Sequence, residues 1–138
     1  MSRPKDTVCP CGSRLAYAGC CGRWHAGGIA PTAEALMRSR YSAYVLSLET
    51  YLLTTWHANT RPLRLDLAAD RQTRWLGLEV RKHAPSGENS ASVEFVARYK
   101  IGGHAHRLHE TSRFLREDGY WYYLDGEFPD APLKDGKA

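Results

Sequence analysis

No cysteine lies beyond position 21 of this 138-residue chain. Every thiol is therefore confined to the first sixth of the sequence, and none is left to bridge or brace the remainder. No apolar run approaches the ~20 residues that a membrane-spanning helix needs. The opening "MSRPKDTV" has no apolar core of the kind a secretory signal carries. These absences set a cytoplasmic expectation, with reduced thiols and no membrane span. A long Lys/Arg run is also missing. The 19 basic and 15 acidic residues are interspersed, so a formal charge of +4 is a weak clue to nucleic-acid binding. Nor is there a C-x-x-C, the spacing that dithiol redox chemistry favours.

What is present is "CPCGSRLAYAGCC", residues 9 to 21, which holds Cys9, Cys11, Cys20 and Cys21. Two close pairs of thiolates can converge on one tetrahedral Zn2+. Gly12 follows the first pair, where a turn that wraps N–H groups toward sulfur favours a residue tolerant of positive φ. Tyr17 is placed to cover one side of so small a site. The competing readings are two disulfides, which a reducing compartment disfavours, and free thiols, which would be spread through a core. His25, four residues past Cys21, is the alternative fourth ligand. Four thiolates leave no open coordination position, so such a site is structural, and metal binding supplies the folding free energy that a segment of this size cannot gain by burial. Binding zinc as four thiolates would also lower the formal charge by two.

From Thr32 the pattern turns helical. Ala33, Met37, Tyr41, Tyr44 and Leu48 share one face, Thr32 is suited to cap the N-terminus, and Glu34 and Arg38 stand at i, i+4. Arg40 falls near the edge of the apolar face. A second helix is expected from about Glu49 to His57, and one helical turn near Asp66. After Arg74 the residues alternate as strands: "RWLGLEVRKHA", "ASVEFVARYKI", "HAHRLHETSRFLRE" and "YWYYLDG", joined at "PSGENS", "GG" and "DG". Helices followed by a four-stranded antiparallel meander make an α+β domain.

Two-residue turns at Gly102-Gly103 and Asp118-Gly119 fix a register. They set Phe95 opposite Glu110, Val93 opposite Ser112, Phe114 opposite Tyr123 and Ser112 opposite Asp125. Residues directly opposite share a face, so Glu110, Ser112 and Asp125 join an otherwise apolar face of Val93, Phe95, Ala97, Tyr99, Leu108, Phe114 and Tyr123. Carboxylates there must be paired or must serve a site. The bland reading is a buried ion pair or a capped network, for instance Glu110 with Arg40. The sharper one is a pocket lined by Arg40, His57, Glu110, Ser112, Tyr123 and Asp125. One extra residue in either turn would reverse the facing assignment.

The cysteine stretch resembles the SEC-C motif, the small zinc knuckle found at the C-terminus of the SecA translocase. The ligand spacing matches in full; the departure is Arg14, where a glycine usually follows the serine. "LMRSRYSAY", "TWH", "WLGL", "ETSRFL" and "WYYLDG" together resemble the YchJ-like (UPF0225) family. That resemblance implies an NTF2-like cone, with N-terminal helices packed on a curved four-stranded antiparallel sheet, behind an N-terminal zinc knuckle. The expected boundaries are 1–28 for the knuckle and 29–138 for the cone. Some members add a second knuckle at the C-terminus, where this chain has "APLKDGKA".

The family name denotes no activity, so function rests on the residues. The favoured expectation is a non-enzymatic zinc-binding interaction module. Its contact surface would be Arg14, Arg23, Trp24 and His25, and its partner a protein; a ribosomal surface or nucleic acid is the alternative target. The competing expectation is a small-molecule-binding protein or acid/base enzyme that uses the cone. There Asp125 or Glu110 would be the base, with His57 or Tyr123 polarising a carbonyl.

Overall fold

The computed structural model describes residues 7–70 and 72–129; the opening residues 1–6, Arg71 and the tail 130–138, with the "APLKDGKA" ending, lie outside the described residues. The first segment is a small hairpin-like turn, with Val8 bridged to Ala16. It leads into a 3-10 turn at Tyr17–Gly19 and a short helix, α1 (Cys21–His25). Two further helices follow, α2 (Ala33–Leu46) and α3 (Glu49–Thr54). A 3-10 turn at Leu67–Ala69 precedes the strands β1 (Thr73–Pro85), β2 (Ser90–Ile101), β3 (His104–Glu117) and β4 (Tyr120–Glu127). They form one antiparallel sheet in the order β1-β2-β3-β4.

Helix α2 starts and stops for local reasons. Thr32 Oγ1 accepts from the Ala35 N–H at 3.0 Å, satisfying one of the free donors of the first turn. Ser47, in the left-handed region, ends the helix, and the Leu48 N–H returns to the Ala43 carbonyl at 2.8 Å. The expected face is correct for Ala33, Met37 and Tyr41, which are buried against the sheet with Val93, Phe95, Ala97 and Phe114. Yet Ser39, Arg40, Ser42 and Ala43 are buried as well. Partners lie on other sides too: the cysteine segment meets Ser39 and Ser42, and Arg40 meets α3.

The second helix is shorter than the expected Glu49–His57. It ends at Thr54, and the chain then extends to pair with β4, Trp56 bridging Tyr123 in parallel. The Tyr123 N–H donates to the Thr55 carbonyl and the His57 N–H to the Tyr123 carbonyl, at 2.8 and 2.7 Å. These edge hydrogen bonds replace those of another helical turn. The turn near Asp66 is present, and the Glu49 carboxylate holds it by accepting from the Leu65 and Leu67 N–H groups.

Both two-residue turns give the expected register at Phe95/Glu110, Val93/Ser112 and Phe114/Tyr123. The Ser112/Asp125 pairing is corrected. Leu124 is an extra residue between the pairs Phe114/Tyr123 and Arg113/Asp125, so Ser112 faces Gly126 instead. Two further irregularities, at Leu76 and Arg81, interrupt the β1–β2 ladder. Bulges bend a strand and increase its twist; three of them curve this sheet over α2.

Candidate metal centre and cone cavity

The cysteine segment brings four buried sulfurs together. The Sγ atoms of Cys9, Cys11, Cys20 and Cys21 all lie within 4.8 Å of one another. Cys11 and Cys20 are 3.6 Å apart, close to the edge of about 3.8 Å that a tetrahedron with Zn–S of ~2.3 Å would have. Gly12, at φ +86°, supplies the expected left-handed turn. Ser13 Oγ sits 3.1 Å from Cys20 Sγ and Ser42 Oγ 3.5 Å from Cys9 Sγ, both placed to donate to thiolates.

The electrostatics favour a cation. Hydrogen bonds from Cys21 and Cys9 pull the Cys11 thiol well below its ordinary range. Cys21, on the giving side of those bonds, is driven up, and burial raises Cys20. The sulfurs cannot all ionise together without a compensating charge, which a dication supplies. The donor set therefore fits a thiolate-bound metal.

His25 has another role than the alternative fourth ligand. Its Nε2 lies 2.8 Å from the Ser39 carbonyl oxygen, which only accepts, so Nε2 carries the proton; Nδ1 then accepts from the Tyr17 hydroxyl at 2.6 Å. Both nitrogens are occupied. Trp24 is half-buried, packed on one side against the main core. Arg38, paired with Glu34, donates from Nη1 to the Cys11 carbonyl at 2.9 Å. The cysteine knuckle is thus seated on α2 by His25, Arg38 and Ser42.

The other face of α2 closes a cavity of about 260 Å3 against the sheet. Arg40, Tyr44, Trp56, Trp75, Glu110, Ser112 and Tyr123 lie in its wall. Arg40 is fully buried. Its Nη1 donates to the Leu52 carbonyl and to Thr55 Oγ1, and its guanidinium stacks on Trp56 and Tyr123 at 5.0 and 4.7 Å. Burial pushes its pKa down to about 10, which leaves it protonated at neutral pH. Glu110 Oε2 accepts from Ser112 Oγ at 2.8 Å and from the Tyr123 hydroxyl at 3.0 Å. The carboxylate lies over Gly126, where any Cβ would strike it. Burial, then the nearby Glu110 charge, hold the Tyr123 phenol well above its usual range. Arg40 and Glu110 influence each other but form no direct ion pair among the described residues, so of the two bland forms the Glu110–Arg40 bridge is absent there and Glu110 sits instead in a network capped by Ser112 and Tyr123.

Four of the six expected pocket residues meet: Arg40, Glu110, Ser112 and Tyr123. Two do not. The bulge at Leu124 turns Asp125 to the outer face, where its two oxygens take a bidentate pair of bonds from Arg113, both 2.6 Å. His57 is buried elsewhere, with Nε2 bonded to Glu117 at 2.7 Å and Nδ1 accepting from the Asn59 N–H. Trp56 takes the place expected for His57. Neighbours in an extended segment point to opposite sides, so reading residues 55–57 as a strand edge would have selected Trp56. Tyr44 was legible only as part of the apolar helix face, and Trp75 only as a strand residue.

A four-stranded sheet curved over helices, joined to a four-cysteine knuckle, defines an NTF2-like domain behind a SEC-C motif. Comparison with known proteins agrees. A family model described as YchJ, middle NTF2-like domain, matches residues 32–126. A UPF0225 protein of Xanthomonas campestris is 55% identical over 125 residues, covering 90% of this chain and 96% of its own. One from Methylibium petroleiphilum is 58% identical over 127 residues, covering 91% and 90%. Among solved structures, a SEC-C motif containing protein from Rhodopseudomonas palustris superposes with a TM-score of 0.79 at 35% identity, covering 90% of this chain and all of that one. A sec-c motif containing protein from Psychrobacter arcticus gives 0.76 at 33%, covering 95% and 86%. The chain belongs to the YchJ-like, UPF0225 family. Among the described residues no helix is long and apolar enough to cross a membrane.

Proposed function

We propose that this protein is a zinc-stabilised, non-enzymatic binding module whose binding site is the cone cavity. The zinc is structural: four buried sulfurs within 4.8 Å of one another are enough to fill a tetrahedral coordination shell and would leave no position for a substrate. The observation that carries the reading is Arg40, a buried cation in the wall of an aromatic cavity, with no carboxylate paired to it among the described residues. Burying a charge is costly; two hydrogen bonds and two aromatic rings offset part of that cost for Arg40, and a ligand that accepts from its remaining donors offsets more. Acid/base catalysis has less support. Asp125 and His57 lie outside the cavity, while Glu110 and Tyr123 are bonded to each other.

Within the expected partner surface on the knuckle, Trp24 is half-buried with one side against the body and His25 is hydrogen-bonded to the body. Arg14 and Arg23 are exposed, and Val8 and Leu15, which the expectation did not include, are 60% and 54% exposed on the same small segment; these support a protein partner as a second reading. A set of ring-sized fragments titrated into the zinc-loaded protein tests the first reading by NMR. Shifts centred on α2, Trp56 and Trp75 are expected; a set that never moves those signals would sink it. Capture of the same lysate proteins by wild type and by a four-Cys→Ser variant would count against the second.

A further inference from the structure

The cone holds one cation and one carboxylate that do not touch, and each keeps an unused edge. Among the described residues every hydrogen bond of Arg40 leaves from Nη1, so Nε and Nη2 remain as donors. Every hydrogen bond to Glu110 arrives at Oε2, so Oε1 remains as an acceptor. Both residues line the same space, with Tyr44, Trp56 and Trp75 as aromatic walls around it. At about 260 Å3 that space lies below the usual range for drug-sized ligands and suits a single ring.

On the reading of the cone as the binding site, the geometry points to a neutral, planar ligand of one ring. One edge of it carries a hydrogen-bond acceptor beside a donor, as in an aryl amide or a lactam, and that edge lies between Arg40 and Glu110. The carbonyl accepts from the guanidinium and the N–H donates to Glu110 Oε1, while the ring stacks on the aromatic wall. Charge decides against the other classes. Arg40 and Glu110 sum to zero, so an organic anion would gain Arg40 but face Glu110 in a desolvated site, and a cation would meet the reverse. A neutral donor–acceptor edge satisfies both groups without adding charge.

The test titrates benzamide, benzoate and benzylamine into the full, zinc-loaded chain and follows the Trp56 and Trp75 indole N–H signals. Benzamide is expected to bind at least tenfold tighter than either charged analogue. Glu110→Gln leaves the site with net positive charge and should move the preference to benzoate; Arg40→Met should move it toward benzylamine. If Arg40→Met does not fold, the wild-type ranking and Glu110→Gln still decide. Benzoate or benzylamine matching benzamide in the wild type would overturn the neutral-ligand assignment and leave the cone as a binding site. None of the three moving those signals would also overturn the assignment, and the cone reading would fall only if the wider fragment set failed too.

Discussion

The knuckle and the cone reach order by different means. In the knuckle the buried cluster is four cysteines, flanked by Tyr17 and Leu78, with no aliphatic core of its own among the described residues. In the cone, Leu36, Met37, Tyr41, Val93, Phe95, Ala97 and Phe114 form a continuous apolar cluster between α2 and the sheet. One region depends on a ligand that its sulfurs must find, the other on surface removed from water. Helix α2 serves both, since His25, Arg38 and Ser42 seat the knuckle on one side while Arg40, Tyr41 and Tyr44 line the cavity on the other. The consequence is a directional dependence: loss of the metal should release the knuckle and leave the sheet folded.

The widest break in that comparison comes from the sulfurs. Replacing Cys11, the most buried of the four, with Ser should abolish stoichiometric metal binding and collapse the dispersion of residues 7–25 in an NMR spectrum. The signals of β2 and β3 should persist. Metal analysis of the purified protein reads the first effect directly. Retained metal in that variant, or loss of the sheet together with the knuckle, would mean that the two regions are not held separately.

Phe114→Ala is the mirror experiment. Phe114 is 1% exposed at the centre of the cone core, and truncating such a ring costs about 3–5 kcal/mol. Chemical denaturation should show that loss while metal content at low denaturant stays stoichiometric. A loss under 1 kcal/mol would show that the α2–sheet core is not the main support of the cone.

How much of this was legible beforehand differed between the regions for the same physical reason. Ligation leaves a local mark, four cysteines in thirteen positions, and the cluster follows from spacing alone. The cone depends on pairings between distant residues. Its register was readable where glycine-containing two-residue turns set it, at Phe95/Glu110 and Phe114/Tyr123. It failed at Leu124, because nothing local marks that residue as extra. The Thr60 hydroxyl donates to the Leu124 carbonyl from more than sixty positions away. The same bulge decided Asp125, and the long-range edge pairing of Trp56 with Tyr123 decided His57.

His25 sharpens the comparison through pH. Burial depresses its pKa below the usual 6.5, the Ser39 carbonyl only partly opposing that shift. The unfolded chain therefore binds this proton more readily than the folded one. Stability contributed by the neutral ring is present above about pH 6.5 and declines as pH falls below it. The reason is local: protonated Nδ1 can no longer accept from Tyr17. An NMR titration of the zinc-loaded protein should place the His25 midpoint below 6.5, and a midpoint above it would contradict the neutral tautomer assigned here.

The smallest expected effect concerns a single backbone angle in the knuckle. Arg14 stands at φ +70°, in the left-handed region that residues with a Cβ adopt at a cost of roughly 1–2 kcal/mol. It is also the position where the SEC-C pattern ordinarily has glycine. The structure supplies the reason for that preference: residue 14 must reverse the chain so that Leu15 can accept from the Cys9 N–H and Val8 can bridge Ala16. Glycine removes the steric penalty but adds freedom to the unfolded chain. The net gain for Arg14→Gly should be about 1 kcal/mol or less. Because metal ligation and the hairpin form together, the gain should appear as tighter zinc retention in a chelator competition, while the denaturation midpoint of the cone stays unchanged. A shift of the cone midpoint with no change in zinc retention would place the role of Arg14 in the body rather than in the turn.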